Sequence, residues 1–220
     1  TEIPKSSHAI LSKKGSQYFV TFVVDSFNGS APSGDPFVVG IDFGFINFLT
    51  LSDGGVISSP KFHKQDLKAE AKAHRAIHKT ERGSKQREKK KLVLEKIKNR
   101  ISNRRKNFNH QLSRKLVDKY SVICLEDLSL KEMVSDIANI NRTLSDLSFG
   151  QFRSFLSYKA ENAGKKLVLV NPAYTTQDCS ECGRREKKEL AERLHSCCCG
   201  CELDRDVNAA RNILRLGLQS

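Results

Sequence analysis

Proline is scarce in this sequence: five in 220 residues, with none between residues 62 and 119. Because an internal proline removes a helical hydrogen bond and clashes with the preceding turn, that stretch is free to form long helices, interrupted only at its one glycine, Gly83. Long apolar runs are missing too. No run reaches the roughly 18 residues of a membrane-crossing helix, since Asp42 and Asn47 interrupt the best candidate, and no secretory signal is visible. Cysteine is nearly absent outside one place: six of seven lie between residues 179 and 201, while Cys124 falls in an apolar run. This distribution argues against a disulfide framework and for metal-ligand spacing in an intracellular, reducing compartment. Methionine is limited to Met133 and the chain opens on Thr1, so a missing upstream segment is expected.

What is abundant is positive charge, and it is concentrated. The chain carries a net +13, but residues 61–119 hold 21 Lys and Arg against 6 Asp and Glu, a net of +15 that leaves −2 for the rest. Such a block is the electrostatic footprint of a phosphate-backbone partner, with a solvated helical surface or an anionic membrane as the competing explanations. Apolar content of 38%, with 12 Phe, suffices for one ordinary core plus a small appendage.

The chain is organised around residues 37–44, FVVGIDFG. This run reads as a buried strand too short for a helix, and it delivers Asp42 to the edge of the core. Residues 121–125, SVICL, form a second such run leading into Glu126 and Asp127, and LDRDVNAARNIL sets Asp204 and Asp206 at the mouth of a helix. Three acidic positions far apart in sequence, each ending a buried element, suit a Mg²⁺ site, which takes hard oxygen ligands and completes its shell with water and substrate phosphate. Two such ions about 3.5–4 Å apart activate a water and stabilise the leaving oxygen of a phosphodiester.

The remaining elements follow from periodicity and turn chemistry. Residues 8–26 read as a hairpin turning at 13–16, and 28–36 (NGSAPSGDP) as a linker. Strands are expected at 37–42, 47–51 and 55–58, with a tight turn at 53–55. Two long helices fill 62–119, broken near Gly83 and Ser84. In the second, Leu92, Leu94, Ile97, Ile101, Phe108, Leu112, Leu116 and Val117 make an apolar stripe expected to pack in the core. The opposite face carries Lys89, Lys90, Arg100, Arg104, Arg105 and Lys106. Residues 128–144 are polar and read as a loop or short helix. A helix is expected over 148–163, stopped by Gly164, with Phe152 and Phe155 on its core stripe rather than free to stack on bases. The last strand spans 166–170 and a final helix 207–216, whose N-terminal amides are expected to help hold a phosphate.

Cys179 and Cys182, followed by Cys197, Cys198, Cys199 and Cys201, have the spacing of a closed four-thiolate structural site. Spacing alone leaves open which of the second group bind. Arg184, Arg185, Lys187 and Lys188 lie between the two clusters.

Taken in order, GIDFG, ICLEDLSLK, NPAYTTQDCSECG and CGCELDRDVNAARNIL resemble the split RuvC nuclease signature of TnpB proteins of bacterial insertion sequences, shared by miniature type V CRISPR effectors. The resemblance implies an α/β, ribonuclease H-like (RuvC) fold, a mixed sheet with helices on its faces. It implies a Mg²⁺-dependent DNA endonuclease acting with a guide RNA on target DNA, in a prokaryotic cytoplasm and away from membranes. Asp42, Glu126 and Asp206 take the places of its catalytic acids on two Mg²⁺ ions. Cys199, followed by Gly200, matches its second knuckle, so Cys179, Cys182, Cys197 and Cys199 become the ligands of one structural Zn²⁺. Cys198 and Cys201 are then spare, and His195 a neighbour or substitute ligand. The implied division is 1–36 as barrel strands plus linker, 37–175 as nuclease core with a basic insertion at 62–119, 176–203 as zinc ribbon, and 204–220 as the closing motif. The basic face of the second helix, with Arg184 and Arg185, is assigned to sequence-independent nucleic-acid contacts. The competing readings are a guide-directed DNA-binding regulator without cleavage and an RNA-independent nuclease. An actin-like ATPase would need a second DxG and a glycine-rich adenosine site, and neither is present.

Overall fold

The computed structural model describes residues 8–15, 17–23, 37–44, 46–127, 148–189 and 192–219; the linker at 28–36 and the polar stretch at 128–144 lie outside them. The chain divides into two compact units, residues 1–29 with 62–104, and residues 30–61 with 105–220.

In the first unit, β1 (His8–Lys14) and β2 (Gln17–Val23) pair antiparallel, His8 opposite Val23 and Lys14 opposite Gln17. Helices α1 (Phe62–His78) and α2 (Lys85–Lys119) are separated at the expected break. Gly83 there takes φ +84°, and the Ser84 hydroxyl accepts from the Arg87 amide at 3.2 Å, satisfying an otherwise orphaned donor of the first turn. Arg87 reaches back to the carbonyls of Ile77 (3.0 Å) and Thr80 (2.9 Å), closing the end of α1. Asp66 on α1 is buried and accepts from both Arg100 and Arg104 of α2, the latter at 3.2 Å.

The expected apolar stripe of α2 is buried only in part. Ile101 is buried in the first unit, and Leu116 and Val117 are buried in the core of the second, whereas Leu92 is 46% exposed. Spacing explains the difference: 94, 97, 101, 108, 112 and 116 follow one helical face, and a residue two positions before Leu94 falls on the far side.

The second unit is a five-stranded mixed sheet in the order β5-β4-β3-β6-β7, made of β3 (Val38–Phe43), β4 (Asn47–Leu51), β5 (Val56–Ser58), β6 (Val122–Glu126) and β7 (Lys166–Val170). β3 is antiparallel to β4 and parallel to β6, which is parallel to β7. Helix α3 (Phe149–Asn162), a small hairpin of β8 (Leu194–Ser196) and β9 (Glu202–Asp204), and helix α4 (Arg205–Leu218) complete it.

Strand alternation assigns the two faces. Val39, Ile41, Ile123 and Leu125 join Phe48, Leu116, Val117, Phe149, Phe152 and Leu156 in the larger core, against α3 and the end of α2. Cys124, Val168 and Val170 point the other way, onto Ile213 of α4. Successive strand residues face opposite sides, so Asp42 and Glu126 belong to the α4 face.

Helix α4 lies close on that face because small residues line the contact. Ala209 and Ala210 are fully buried, and a Cβ built on Gly40 would fall on the Ala210 carbonyl oxygen and 2.6 Å from the Leu214 nitrogen.

Candidate active site and metal cluster

Asp42 is the penultimate residue of β3, Glu126 ends β6, and Asp206 lies in the first turn of α4. The parallel register that sets Ile41 beside Leu125 brings the next pair, Asp42 and Glu126, to the same end of the sheet. Ala210 covers Gly40, so Asp206, one turn earlier on α4, reaches the level of Asp42. Asp42 and Glu126 are 7% and 6% exposed, burial that carboxylates accept only with a partner or a cation.

The electrostatics record the crowding. Burial, then the charges of Glu126 and Asp206, hold the Asp42 carboxyl well above the usual carboxylate range, against the opposing influence of Arg205 and the Phe43 amide. Burial raises Glu126 as well, and a hydrogen bond from the Thr175 hydroxyl offsets part of that rise. Asp206 has Arg205 and Arg193 at 3.9 and 4.0 Å. A cation among these oxygens would relieve the mutual repulsion, although the three carboxylates do not all come within 4.8 Å of one another as the cysteine thiols do; hard oxygen donors of this kind are the type a divalent ion takes.

Around the start of α4 one expectation changes. The helix begins at Arg205, and the Asp204 carboxylate caps it, accepting from the amides of Asp206 (2.9 Å) and Val207 (3.3 Å). These first-turn amides are therefore engaged by the chain's own carboxylate rather than facing a phosphate.

The cysteines gather as well. Sγ atoms of Cys179, Cys182, Cys197 and Cys199 all lie within 4.8 Å of one another, with Cys179 to Cys199 at 3.8 Å and Cys182 to Cys197 at 3.6 Å. Burial disfavours the Cys179 thiolate, yet the Cys182 amide, His195 and the Glu181 amide bring its thiol down to about 5. The Cys201 amide favours the Cys199 thiolate, but Cys182, burial, Cys197 and Cys179 push that thiol up to about 12. Four thiols at this separation cannot all ionise without a cation between them, and the cluster is suited to hold a metal ion.

Two contacts that sequence reasoning did not assign tie the sites together. Asn208 of α4 accepts from the Ser180 amide (2.8 Å) and donates to the Asp178 carbonyl (2.8 Å), while Asn212 donates to the carbonyls of Thr175 (2.9 Å) and Asp178 (2.6 Å). Both asparagines stand within NAARN, the segment that follows Asp206, and both are buried; buried amides without apolar work to do were the available signal.

Of the basic residues, Lys89, Lys90 and Lys106 are exposed. Arg100 and Arg104 are engaged by Asp66. Arg105 is partly buried. Arg184 donates to Cys198 at 2.9 Å. Arg185 closes a fork on Asp178 (2.7 and 3.1 Å) and stacks 3.6 Å over the Tyr174 ring. Among the described residues, no helix is long and apolar enough to cross a membrane.

Comparison with known proteins decides the kinship. The insertion-sequence OrfB model, described as a probable transposase, matches residues 24–136. The chain belongs to the TnpB family. A Cas12f1-like TNB domain model matches residues 149–213. A putative RNA-guided DNA endonuclease of Streptomyces pristinaespiralis is 35% identical to the TnpB-family chain over 207 residues, covering 93% of this chain and 51% of the relative. The putative RNA-guided DNA endonuclease InsQ of Escherichia coli K12 is 26% identical, covering 82% and 49%. The chain thus spans about half the length of these relatives. Among solved structures, a Cas12f1 in complex with single-guide RNA and target DNA aligns over 93% of this chain and 55% of its own at a TM-score of 0.58 and 17% identity, a likeness of fold alone.

Proposed function

We propose that this TnpB-family chain carries the nuclease centre of an RNA-guided, Mg²⁺-dependent DNA endonuclease. The observation that carries the reading is the convergence of Asp42, Glu126 and Asp206 from three distant elements on one end of one sheet face, where the latter two raise the proton affinity of the first. The names of its relatives agree with it.

In this reading residues 37–175 form a ribonuclease H-like core with a basic insertion at 62–119. Residues 176–203 are a zinc ribbon, 204–220 the closing motif, and 1–36 barrel strands plus linker. Asp42, Glu126 and Asp206 hold a pair of Mg²⁺ ions, and Cys179, Cys182, Cys197 and Cys199 hold one structural Zn²⁺. When bound, the Mg²⁺ pair supplies the Lewis acidity for phosphodiester hydrolysis. The protein's own contribution is positional. Burial keeps the Asp42 oxygens from being hydrated, the Thr175 hydroxyl aims one oxygen of Glu126, and the capped start of α4 holds Asp206 over the sheet. Sequence-independent contacts to guide RNA and target DNA are assigned to Lys89, Lys90, Arg100, Arg104, Arg105, Lys106, Arg184 and Arg185. The working compartment is the prokaryotic cytoplasm.

The test is cleavage of target plasmid in Mg²⁺ by the protein carrying this chain with its co-purified RNA, wild type against Asp42→Ala. Cleavage is expected to vanish while RNA and DNA binding persist. Equal cleavage by both proteins overturns the reading, and binding without cleavage by the wild type replaces it with a guide-directed DNA-binding regulator.

A further inference from the structure

The four-cysteine cluster leaves a buried group without a role. His195, in the middle of β8, is 1% exposed between Leu194 at 58% and an exposed Ser196, so strand alternation turns its ring inward. Both ring nitrogens are buried without a partner at full hydrogen-bond geometry, and one stands close enough to Cys179 to favour its thiolate. Burying an imidazole this poorly satisfied is destabilising, a cost that a folded chain tolerates when the group serves as a ligand. Cys201 has no place in the four-cysteine set either. A ligand nitrogen of His195 and the Sγ atoms of Cys179 and Cys201 lie within 4.8 Å of one another.

We propose that this lobe binds a second metal ion of the zinc class, held by His195 and Cys201 and bridged to the first through the Cys179 thiolate. The ligand types fit: imidazole and thiolate are the donors that borderline-soft divalent ions select. Charge favours the pair. One divalent ion with four thiolates carries a net −2, and adding a second ion with the Cys201 thiolate and a neutral imidazole brings the cluster to −1. Three protein donors leave one position open on the second ion, where a structural site would have closed it, so water or another small donor completes its shell.

Metal counting tests this without reference to cleavage. The full chain is refolded anaerobically with cobalt(II), and bound metal is counted by native mass spectrometry alongside electron paramagnetic resonance. Two ions per chain are expected, the resonance growing over the first equivalent and collapsing over the second as the thiolate-bridged pair couples. Cys201→Ser and His195→Gln should each hold one ion, half the wild-type content, with an uncoupled signal. Saturation of the wild type at one ion overturns the proposal, and is the result expected if His195 only donates to a Cys179 thiolate. So does a Cys201→Ser chain that still takes two. Should His195→Gln fail to fold, the half-exposed Cys201 position decides alone.

Discussion

The Thr175 hydroxyl donates a hydrogen bond to Oε1 of Glu126, both residues buried, across 49 positions of sequence. That bond lowers a carboxyl that burial raises. Thr175→Val is therefore expected to raise the Glu126 proton affinity further, moving the acidic limb of the pH–cleavage profile to higher pH. It should also weaken apparent Mg²⁺ affinity or activity by about 10–100-fold, the usual effect of losing a group that orients a metal ligand. Thr175→Ser restores both. An unshifted profile in the valine variant would show that Glu126 is held by other means.

Asp42 binds its proton more tightly in the folded chain than in the unfolded one, because of burial and then Glu126 and Asp206. Stability should accordingly fall as pH rises from the ordinary carboxylate range through the raised value, and level off above it. In Mg²⁺-free buffer with the cysteine cluster left metallated, Asp42→Asn is expected to make this slope shallower. At neutral pH it should stabilise the chain by about 1–2 kcal/mol, the scale on which relieving a strained site helps. Thermal melts across pH read both effects, and cleavage by the variant should be lost.

Asn208→Ala removes the bonds to Ser180 and Asp178 that join the first cysteine pair to α4. The expected cost is about 1–3 kcal/mol, localised. Amides of residues 178–183 should exchange faster while those of β3 and β6 stay protected, and chelation of the cysteine-bound metal should produce the same pattern in the wild type.

Gly40→Ala drives a methyl into the Ala210 backbone of α4. Neither a rotamer change nor a flexible side chain can make room, so a loss of about 1–3 kcal/mol is expected from overpacking. Chemical denaturation measures it. A neutral result would mean that α4 stands off the sheet.

Lys89, Lys90 and Lys106 are exposed, whereas Arg100 and Arg104 are engaged by Asp66. Each lysine changed to alanine is expected to reduce the salt slope of nucleic-acid binding by about one. Changes at Arg100 or Arg104 should reduce the slope too and, because they also break the pairing with Asp66, lower the melting temperature. Filter binding over a salt series, with melts in parallel, separates the two classes.

What could be read in advance followed local rules. The runs at 38–43 and 122–126 are short and apolar enough to be read as buried strands that carry Asp42 and Glu126 to the edge of the core, whereas the side the two acids share follows from a pairing register that only the structure supplies. The break at Gly83 and Ser84 carries its own turn chemistry. Leu92 misled because an apolar residue near a stripe was counted with it although its spacing puts it on the opposite side. Thr175, Asn208 and Asn212 escaped notice since a hydroxyl or amide signals nothing until its partner, dozens of residues away, is known. The same holds for Asp66, an isolated acid in a basic segment, whose role is set by Arg100 and Arg104.

The position of Asp206 on α4, some 80 residues after Glu126, has a consequence for how the protein is made. During translation the strands bearing Asp42 and Glu126 leave the ribosome well before α4 is synthesised, so a nascent chain holds two acids with nothing to close over them. In the proposed mechanism the cutting centre cannot assemble on a half-made polypeptide, and messages cut short before α4 yield products unable to harm the cell's own chromosome.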